Sequence, residues 1–278
     1  MKTGLVGRTI LASKSPWLHQ QEAQAQGLDL TYELIDFTAR GLSDAELGAT
    51  IAALPGQGFA GVNVTFPFKQ AVIPLLDELA ESAALVGAVN TIAIQGGTLI
   101  GHNTDMTGFA ESLANGLPGV ALGRVLQLGA GGAGAAVAIA LLSSGVGELM
   151  LADVDPARAR VLCDRLAALF GAGRATPCAM AQLPITQVDG IVNATPLGMA
   201  AHPGAPIDTA LLSARQWVAD IVYFPLETEL LRQARACGCR VLDGSGMVIA
   251  QAAKAFEIMT GHPADLERMR ASFLLAMA

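Results

Sequence analysis

The chain has 278 residues, of which 52% are hydrophobic and 15% charged, and its net charge is −7. That length suits two domains of ordinary size, and no run approaches the 18 apolar residues that a membrane-spanning helix needs. Lys and Arg form no cluster, which argues against a nucleic-acid partner. The first seven residues lack the apolar stretch of a secretory signal, so we expect a cytoplasmic protein.

The cysteines predict neither disulfides nor a metal site. Four cysteines at uneven spacing are too few for a disulfide framework, and no Cys/His set has zinc-ligand spacing. We therefore expect reduced thiols and no metal at Cys163, Cys178, Cys237 and Cys239.

Strand-like segments alternate with helical ones along the chain, a pattern typical of parallel α/β architecture. The strand at 124–128 is followed by an apolar helix at 135–142, and Pro156 lies in the first turn of a later helix. Residues 247–278 are predicted to be helical, with Pro263 opening the last helix. The predicted strands are 3–6, 30–37, 58–65, a hairpin of 91–95 and 98–101, 124–128, 148–152, 190–194, 218–223 and 240–242.

A glycine-rich turn lies between the strand at 124–128 and the helix that follows it, as in a dinucleotide-binding fingerprint. Gly129 allows the tight turn, Gly131 lets backbone N–H groups approach a pyrophosphate, and Gly134 permits close helix–strand packing. Asp153 ends the next strand at about the expected spacing of 20 residues, where a carboxylate accepts hydrogen bonds from ribose hydroxyls. A purely structural glycine turn is the alternative, and the strand, helix and acid together disfavour it. The turn comprises Gly129, Ala130, Gly131, Gly132, Ala133 and Gly134.

Four short polar segments precede the glycine turn, at 13–16, 63–69, 87–91 and 103–105. Three lie at or near strand ends, where open α/β sheets bind ligands, and their side chains suit a small polyhydroxylated acid. Each also has a simpler interpretation. Ser15 with Pro16 is a good helix start, and Asp105 could cap a helix. Lys69, which we place near a helix start, could merely be solvated.

In this order the segments resemble the shikimate and quinate dehydrogenase family over nearly the whole chain. The resemblance includes Ser13-x-Ser15-Pro16, the segments 63–69, 87–91 and 103–105, the glycine turn, and 193–199. It continues through 220–225 and 243–247 to Gln251. It implies a two-domain α/β fold: residues 1–106 form a substrate-binding catalytic domain completed by the C-terminal helices 247–278, and residues 107–246 form a doubly wound, Rossmann-type NAD-binding domain.

The resemblance also implies roles for individual residues. Lys69 and Asp105 would form the catalytic pair, and Ser13 and Ser15 would hold the substrate carboxylate. The residues around the ring hydroxyls would be Thr65, Asn90, Tyr223 and Gln251. The cofactor site would comprise the glycine turn (129–134), Asp153, Arg158, Thr195, Gly244 and Met247. The reaction would be reversible oxidation of the ring secondary hydroxyl of shikimate or quinate, with Lys69 moving the hydroxyl proton.

The segment after the second strand of the nucleotide domain predicts NAD as the cofactor. NADP-using members of the family carry Asn-Arg-Thr where this chain has Asp153-Val154-Asp155, so the arginine that grips the 2′-phosphate is absent. Two carboxylates would repel that phosphate. Arg158 could instead pack on the adenine or touch a phosphate.

The sequence predicts that the protein uses both quinate and shikimate as substrates. The stretch 201–204 and the run from Tyr223 to 231 resemble NAD-dependent members that oxidise quinate, whereas Ser15 is typical of members that prefer shikimate. An aminoshikimate-type paralogue and a non-catalytic NAD(H) sensor remain alternatives, although a sensor has no need of a proton-transfer pair. The partner expected is a small cyclic polyhydroxy acid, with no nucleic acid or membrane, and the oligomeric state is left open.

Overall fold

The computed structural model describes residues 1–277; Ala278, the last residue of the predicted C-terminal helical segment, lies outside the described residues. The chain divides into two compact units. Unit 1 comprises Met1–Thr104 and the segment that starts at Ile249, and unit 2 comprises Asp105–Val248. The domain borders implied by the resemblance, at 106 and 247, stay a prediction.

Unit 1 is built on a mixed six-stranded sheet with the order β2-β1-β3-β5-β6-β4. Strands β1, β2 and β3 are parallel, whereas β5 pairs antiparallel with both β3 and β6. The hairpin of β5 and β6 turns through Gly96 and Gly97, both at positive φ, where glycine costs nothing sterically. The strands are β1 (Lys2–Gly7), β2 (Thr31–Asp36), β3 (Phe59–Val64), β4 (Glu78–Leu79), β5 (Thr91–Gln95) and β6 (Thr98–His102).

Three helices lie between these strands, and two more end the described chain. They are α1 (Ser15–Ala25), α2 (Leu47–Ala53), α3 (Glu81–Val86), α8 (Ser245–Thr260) and α9 (Leu266–Met277). The prediction that Pro263 opens the last helix is wrong. Helix α9 begins three residues later because the Asp265 carboxylate accepts a hydrogen bond from the N–H of Arg268, which caps the first turn.

Unit 2 is a doubly wound sheet of six parallel strands, with the order β12-β11-β10-β7-β8-β9. The strands are β7 (Arg124–Leu128), β8 (Glu148–Ala152), β9 (Ala175–Pro177), β10 (Gly190–Asn193), β11 (Trp217–Asp220) and β12 (Arg240–Leu242). The helices are α4 (Asp105–Gly116), α5 (Gly132–Ser143), α6 (Pro156–Phe170) and α7 (Glu229–Ala236). The strand order reverses at β7, which lies between β8 and β10. Such sheets bind ligands beyond the carboxyl ends of the strands at this point of reversal. The predicted α/β class and Rossmann-type domain are confirmed.

Each unit has its own apolar core. The core of unit 1 lies around Val6, Ile35, Phe37, Val62 and Phe68, and that of unit 2 lies around the buried strands β7, β10 and β11. Strands β4 and β9 were not predicted, because two and three residues are too short to show a periodic pattern. Within residues 1–277, no helix has the length and hydropathy needed to span a membrane.

Candidate active site

The glycine turn lies at the carboxyl end of β7 and is held by backbone contacts. Gly129 has a φ of 99°, and its N–H donates to the Ala152 carbonyl over 2.8 Å. A Cβ on Gly134 would lie 2.3 Å from the Gly129 oxygen, so only glycine permits this approach. A Cβ on Gly131 would meet nothing within 4 Å, so this side of the turn is open. Together with the first turn of α5, which begins at Gly132, the turn fits a pyrophosphate.

Asp153 lies directly beside the glycine turn. One carboxylate oxygen accepts from the Ala130 N–H at 2.7 Å, and the other accepts from the Asp155 N–H at 2.8 Å. The Asp153 carboxylate is therefore in direct contact with the glycine turn. Val154, the next residue, is 87% exposed.

A surface cavity of about 420 Å³ opens next to Asp153. Its lining includes Arg160 but not Arg158, whose side chain lies 3.5 Å from the Asp155 carboxylate. The role of Arg158 toward the cofactor stays a prediction. Arg160 was not predicted, because a residue's position on a helix surface depends on where the helix packs. The cavity is lined by Asp153, Val154, Pro156, Ala159, Arg160, Pro177, Cys178, Ala179 and Met180.

Thr195 follows β10 and lies against the glycine turn, since a Cβ on Gly129 would be 3.1 Å from its methyl carbon. The Thr195 hydroxyl and N–H both donate to the Asn193 side-chain oxygen, at 2.7 and 3.1 Å. Asn193 in turn donates to the Asp220 carboxylate at 2.9 Å. Burial raises the pKa of Asp220 to about 6, although hydrogen bonds from Val222, Thr228 and Asn193 act in the opposite direction. This buried network fixes the conformation of the loops that follow β10 and β11.

The remaining predicted residues of unit 2 include Gly244, Met247, Tyr223 and Asp105. Gly244 packs so closely on the backbone after β11 that a Cβ would lie 2.5 Å from the Ile221 oxygen. Met247 is buried in α8. Tyr223, in the loop after β11, is 39% exposed. Asp105 is buried and begins α4.

In unit 1 the loop after β1 carries the serine pair. Ser13 Oγ donates to Ser15 Oγ over 3.2 Å and also accepts from the Ser15 N–H. The buried Asp36 carboxylate, at the end of β2, holds the start of this loop through the N–H groups of Thr9 and Ile10. Burial raises the pKa of Asp36, but the backbone hydrogen bonds prevail and its pKa is lowered. Sequence reasoning found the serines and missed their anchor.

A buried polar network runs from the serine pair across the sheet. Tyr32 lies close to Ser15, and its hydroxyl donates to the Asn63 side-chain oxygen at 2.8 Å. The Asn63 amide donates to Thr91, whose hydroxyl donates to the Asn90 side-chain oxygen at 3.1 Å.

The other end of this network brings together two of the predicted substrate residues, Asn90 and Gln251, through Thr104. The Asn90 amide donates to the Thr104 hydroxyl at 2.9 Å, and that hydroxyl lies 3.4 Å from the Gln251 side-chain oxygen. Sequence reasoning missed Tyr32 and did not assign Thr104, although Thr104 lies in a segment that it singled out.

Lys69 and Thr65 lie in the segment after β3. Residues 66–72 form turns, so the expectation that Lys69 lies near a helix start is wrong. Pro67 follows a cis peptide bond, and Phe68 is buried in the core. The Lys69 carbonyl accepts from the Val89 N–H at 2.7 Å, which ties the turn to the segment before β5. Lys69 is half-buried and interacts with other residues of the protein.

No group of three His, Cys, Asp or Glu residues within residues 1–277 is placed to hold a metal ion. The four cysteines are free thiols. Together, the doubly wound sheet, the open glycine turn and the adjacent acid are those of a dinucleotide-binding α/β protein.

Comparison with known proteins identifies the family. Residues 5–92 match the model of the shikimate dehydrogenase substrate binding domain, and residues 244–272 match that of the shikimate 5′-dehydrogenase C-terminal domain. A shikimate dehydrogenase (NADP(+)) of Arthrobacter sp. (strain FB24) is 50% identical, covering 99% of this chain and 94% of that protein. The quinate/shikimate dehydrogenase (NAD(+)) of Corynebacterium efficiens is 49% identical, covering 98% of this chain and 96% of its own.

A solved structure agrees. Quinate dehydrogenase from Corynebacterium glutamicum in complex with NAD has a TM-score of 0.94 and 44% identity, with 99% of both chains covered. The chain therefore belongs to the shikimate/quinate dehydrogenase family, as the sequence motifs predicted. Both NAD and NADP appear in the names of these relatives.

Proposed function

We propose that this protein catalyses the reversible, NAD-linked oxidation of the ring secondary hydroxyl of shikimate and quinate to the 3-dehydro acid. The observation that carries the proposal is the Asp153 carboxylate beside the glycine turn, followed by Val154 and Asp155 rather than by a cation. The relatives described above support the substrate class, since their names cover quinate and shikimate.

On the substrate side, we assign the carboxylate of the ring acid to the Ser13 and Ser15 hydroxyls. Their mutual hydrogen bond, 3.2 Å long, places the two hydroxyls side by side, as binding one carboxylate requires. Thr65, Asn90, Tyr223 and Gln251 would bind the ring hydroxyls. Asn90 and Gln251 share the Thr104 hydroxyl as a partner, so the network holds both at defined positions.

Lys69 and Asp105 are our candidates for the proton chemistry. When a secondary alcohol is oxidised, its hydroxyl proton must leave, and a positioned basic group accelerates the step. Lys69 would take that proton in oxidation and return it in reduction. Asp105 would orient the ammonium and the reacting hydroxyl. The nicotinamide ring, when bound, supplies the hydride acceptor, and the protein contributes position and proton transfer.

For cofactor choice, the same atoms attract one cofactor and repel the other. The Asp153 carboxylate can accept from ribose hydroxyls, and its charge opposes the dianionic 2′-phosphate of NADP. Among the described residues that line the cavity beside Asp153, Arg160 is the one cation. Because the Asp153 carboxylate lies in the same cavity, Arg160 offers attraction to a 2′-phosphate only against that opposing charge. We therefore retain NAD as the preferred cofactor.

The deciding experiment is a steady-state comparison of shikimate and quinate, each with NAD and with NADP. We expect turnover of both acids and higher kcat/KM with NAD. The absence of turnover would favour a non-catalytic NAD(H) sensor, and activity restricted to an amino-substituted ring acid would favour an aminoshikimate-type enzyme. A wild-type preference for NADP would contradict the role assigned to Asp153.

A double variant sharpens the cofactor test. Replacing Asp153 with Asn and Val154 with Arg removes the repulsion and adds a guanidinium that can pair with a phosphate bidentately. We expect kcat/KM with NAD to fall about 10- to 100-fold, as for loss of a charge-assisted hydrogen bond, and that with NADP to rise. The control is Val161→Arg, an exposed position on α6 that does not line the cavity. An undiminished NAD preference in the double variant would remove Asp153 from this role.

A further inference from the structure

Gln127 is a buried polar residue within an apolar strand. It lies in β7 with no exposed surface, and the neighbouring strand residues Val125, Leu126 and Leu128 are equally buried and apolar. A buried amide destabilises the fold unless hydrogen bonds compensate for its lost hydration. The position therefore requires an explanation that the apolar pattern of the strand does not supply.

The Gln127 amide nitrogen lies between two carbonyls of the glycine turn. Its Nε2 donates to the Gly129 oxygen and to the Gly134 oxygen, each at 2.8 Å. Both neighbours are acceptors, which fixes the orientation of the amide, since its oxygen could not occupy the same place. The side chain thus bridges the first and last glycines of the turn.

The other amide atom gains nothing from this arrangement. Gln127 Oε1 is buried and has no hydrogen-bond partner in the described part of the chain. An apolar side chain of similar length would avoid that cost. We therefore attribute the presence of glutamine at this position to its hydrogen bonds with the two carbonyls.

Those two carbonyls complete the restraint of the turn. The Gly129 N–H is held by Ala152, and the Ala130 N–H is held by Asp153. With the Gly129 carbonyl turned inward to Gln127, the peptides on both sides of Gly129 are fixed. The following N–H groups, at the start of α5, are left facing the open side of the turn.

We propose that Gln127 is a positioning residue for cofactor binding: it clamps the glycine turn in the geometry that receives the pyrophosphate. It contacts neither the cofactor nor the substrate and acts through the backbone of Gly129 and Gly134. The inference rests on the proposed function only in requiring a dinucleotide at this turn, because NAD and NADP share the pyrophosphate.

The test replaces Gln127 with Met, which keeps the length of the side chain and removes both donors. We expect the Kd for NADH, measured by NADH fluorescence, to rise about 10-fold, corresponding to the loss of about 1.4 kcal/mol. The Kd for NADPH should rise by the same factor, so the ratio of the two affinities stays unchanged. The KM for the ring acid at saturating cofactor should stay within about twofold. The melting temperature should be measured alongside, because the Gly129 and Gly134 carbonyls lose a donor while the unpaired Oε1 is removed.

Gln216→Met is the matched control. Gln216 is also buried in unit 2, and its Nε2 also donates to two backbone carbonyls, those of Ile185 and Val188, next to the amino ends of β10 and β11. This variant should lose stability and keep its affinity for NADH. If Gln127→Met bound NADH and NADPH as tightly as the wild type, or lost stability with no selective loss of nucleotide affinity, the proposal would be overturned.

A second variant covers the case in which Gln127→Met fails to fold. Gln127→Glu retains the shape and turns an oxygen toward the two carbonyls, which is tolerable only when the carboxyl is protonated. Its Kd for NADH should therefore increase as the pH rises, whereas that of the wild type should not. A Kd for this variant that did not change with pH would contradict the clamp. A wild type that bound NADPH better than NADH would refute NAD preference and leave this test intact.

Discussion

At the scale of single residues, two carboxylates, Asp153 and Asp36, each fix a loop by accepting hydrogen bonds from backbone N–H groups. Asp153 accepts two backbone N–H groups, one from the glycine turn and one from its own loop. Asp36 has a lowered pKa because backbone N–H groups outweigh its burial. In both cases one carboxylate holds a loop in a defined position, and the proposed ligand contacts depend on that position.

Replacing Lys69 with Ala tests the proton chemistry. We expect kcat to fall about 10²- to 10⁴-fold, the range for losing a positioned acid or base, with the Kd for NAD unchanged. Asp105→Asn should also lower kcat severely. Lys2→Ala, which removes a lysine paired with Glu33 at the surface, is the control and should leave kcat unchanged. If Lys69→Ala altered KM alone, Lys69 would be a binding residue.

Replacing Ser13 with Ala tests the substrate carboxylate site. A hydrogen bond to a charged group contributes about 1.5–3 kcal/mol, so the KM for shikimate and quinate should rise roughly 10-fold or more. Because Ser13 also accepts from the Ser15 N–H, the melting temperature should be measured alongside the kinetics. Ser43→Ala, at an exposed serine, serves as the control. Unaltered kinetics for both acids would make the role of Ser13 purely structural.

At the scale of elements, helices α1 and α9 are joined by an ion pair between the buried Glu22 and the half-buried Arg268. The Glu22 carboxylate is fully buried and accepts two hydrogen bonds from Arg268, at 2.6 and 2.7 Å. It also accepts from Gln26 and from the Asp265 N–H. Burial raises the pKa of Glu22, but the hydrogen bonds from Arg268, Asp265 and Gln26 prevail, so its pKa is lowered.

Glu22→Gln should destabilise this helix pair by about 2 kcal/mol, because charged hydrogen bonds become neutral ones. Since the pKa of Glu22 is lower in the folded state, its contribution is present above the unfolded pKa and lost as the pH falls through the folded one. Urea unfolding at pH 7 and pH 3.5 should therefore show a difference from the wild type that shrinks in acid. Glu229→Gln removes an exposed pair with Arg232 and should have no measurable effect. An undiminished difference at pH 3.5 would contradict this account.

At the scale of the whole molecule, the two units should respond to acid in opposite senses. His19 is fully buried in unit 1, next to Tyr32 and Phe256, and burial lowers its pKa to about 3. The unfolded chain takes up a proton near pH 6.5 and the folded one does not, so stability falls as the pH drops, by up to roughly 5 kcal/mol. In unit 2, burial raises the pKa of Asp220 to about 6, so stability increases by up to roughly 3 kcal/mol as the pH falls toward 4.

The two tryptophans make that prediction measurable, since Trp17 lies in unit 1 and Trp217 in unit 2. During acid titration we expect hydrogen exchange to increase first in peptides of unit 1. In a Trp17→Phe variant, the fluorescence of the buried Trp217 should change only at lower pH. His19→Phe should bring the two transitions together. Simultaneous transitions in the wild type, or a Trp217 change that precedes exchange in unit 1, would show that these two groups do not control the acid response.

The sequence alone determined the doubly wound unit, the glycine turn with Asp153 and the family, because each depends on local periodicity or on residues close together in the chain. Strand, turn and helix around Gly129 could be read directly, and the structure places Asp153 against Ala130 as the spacing indicated.

Other features were decided only by the tertiary structure, because they depend on residues far apart in the chain or on packing between elements. Packing of α6 brings Arg160 rather than Arg158 to the cavity. Tyr32 reaches Asn63 only because β2 and β3 flank β1 in the sheet. Gln127 interrupts an apolar strand, and sequence pattern offers no reason for it. Its partners appear only once the turn folds back over the strand, which brings the Gly129 and Gly134 carbonyls within hydrogen-bonding distance of one amide.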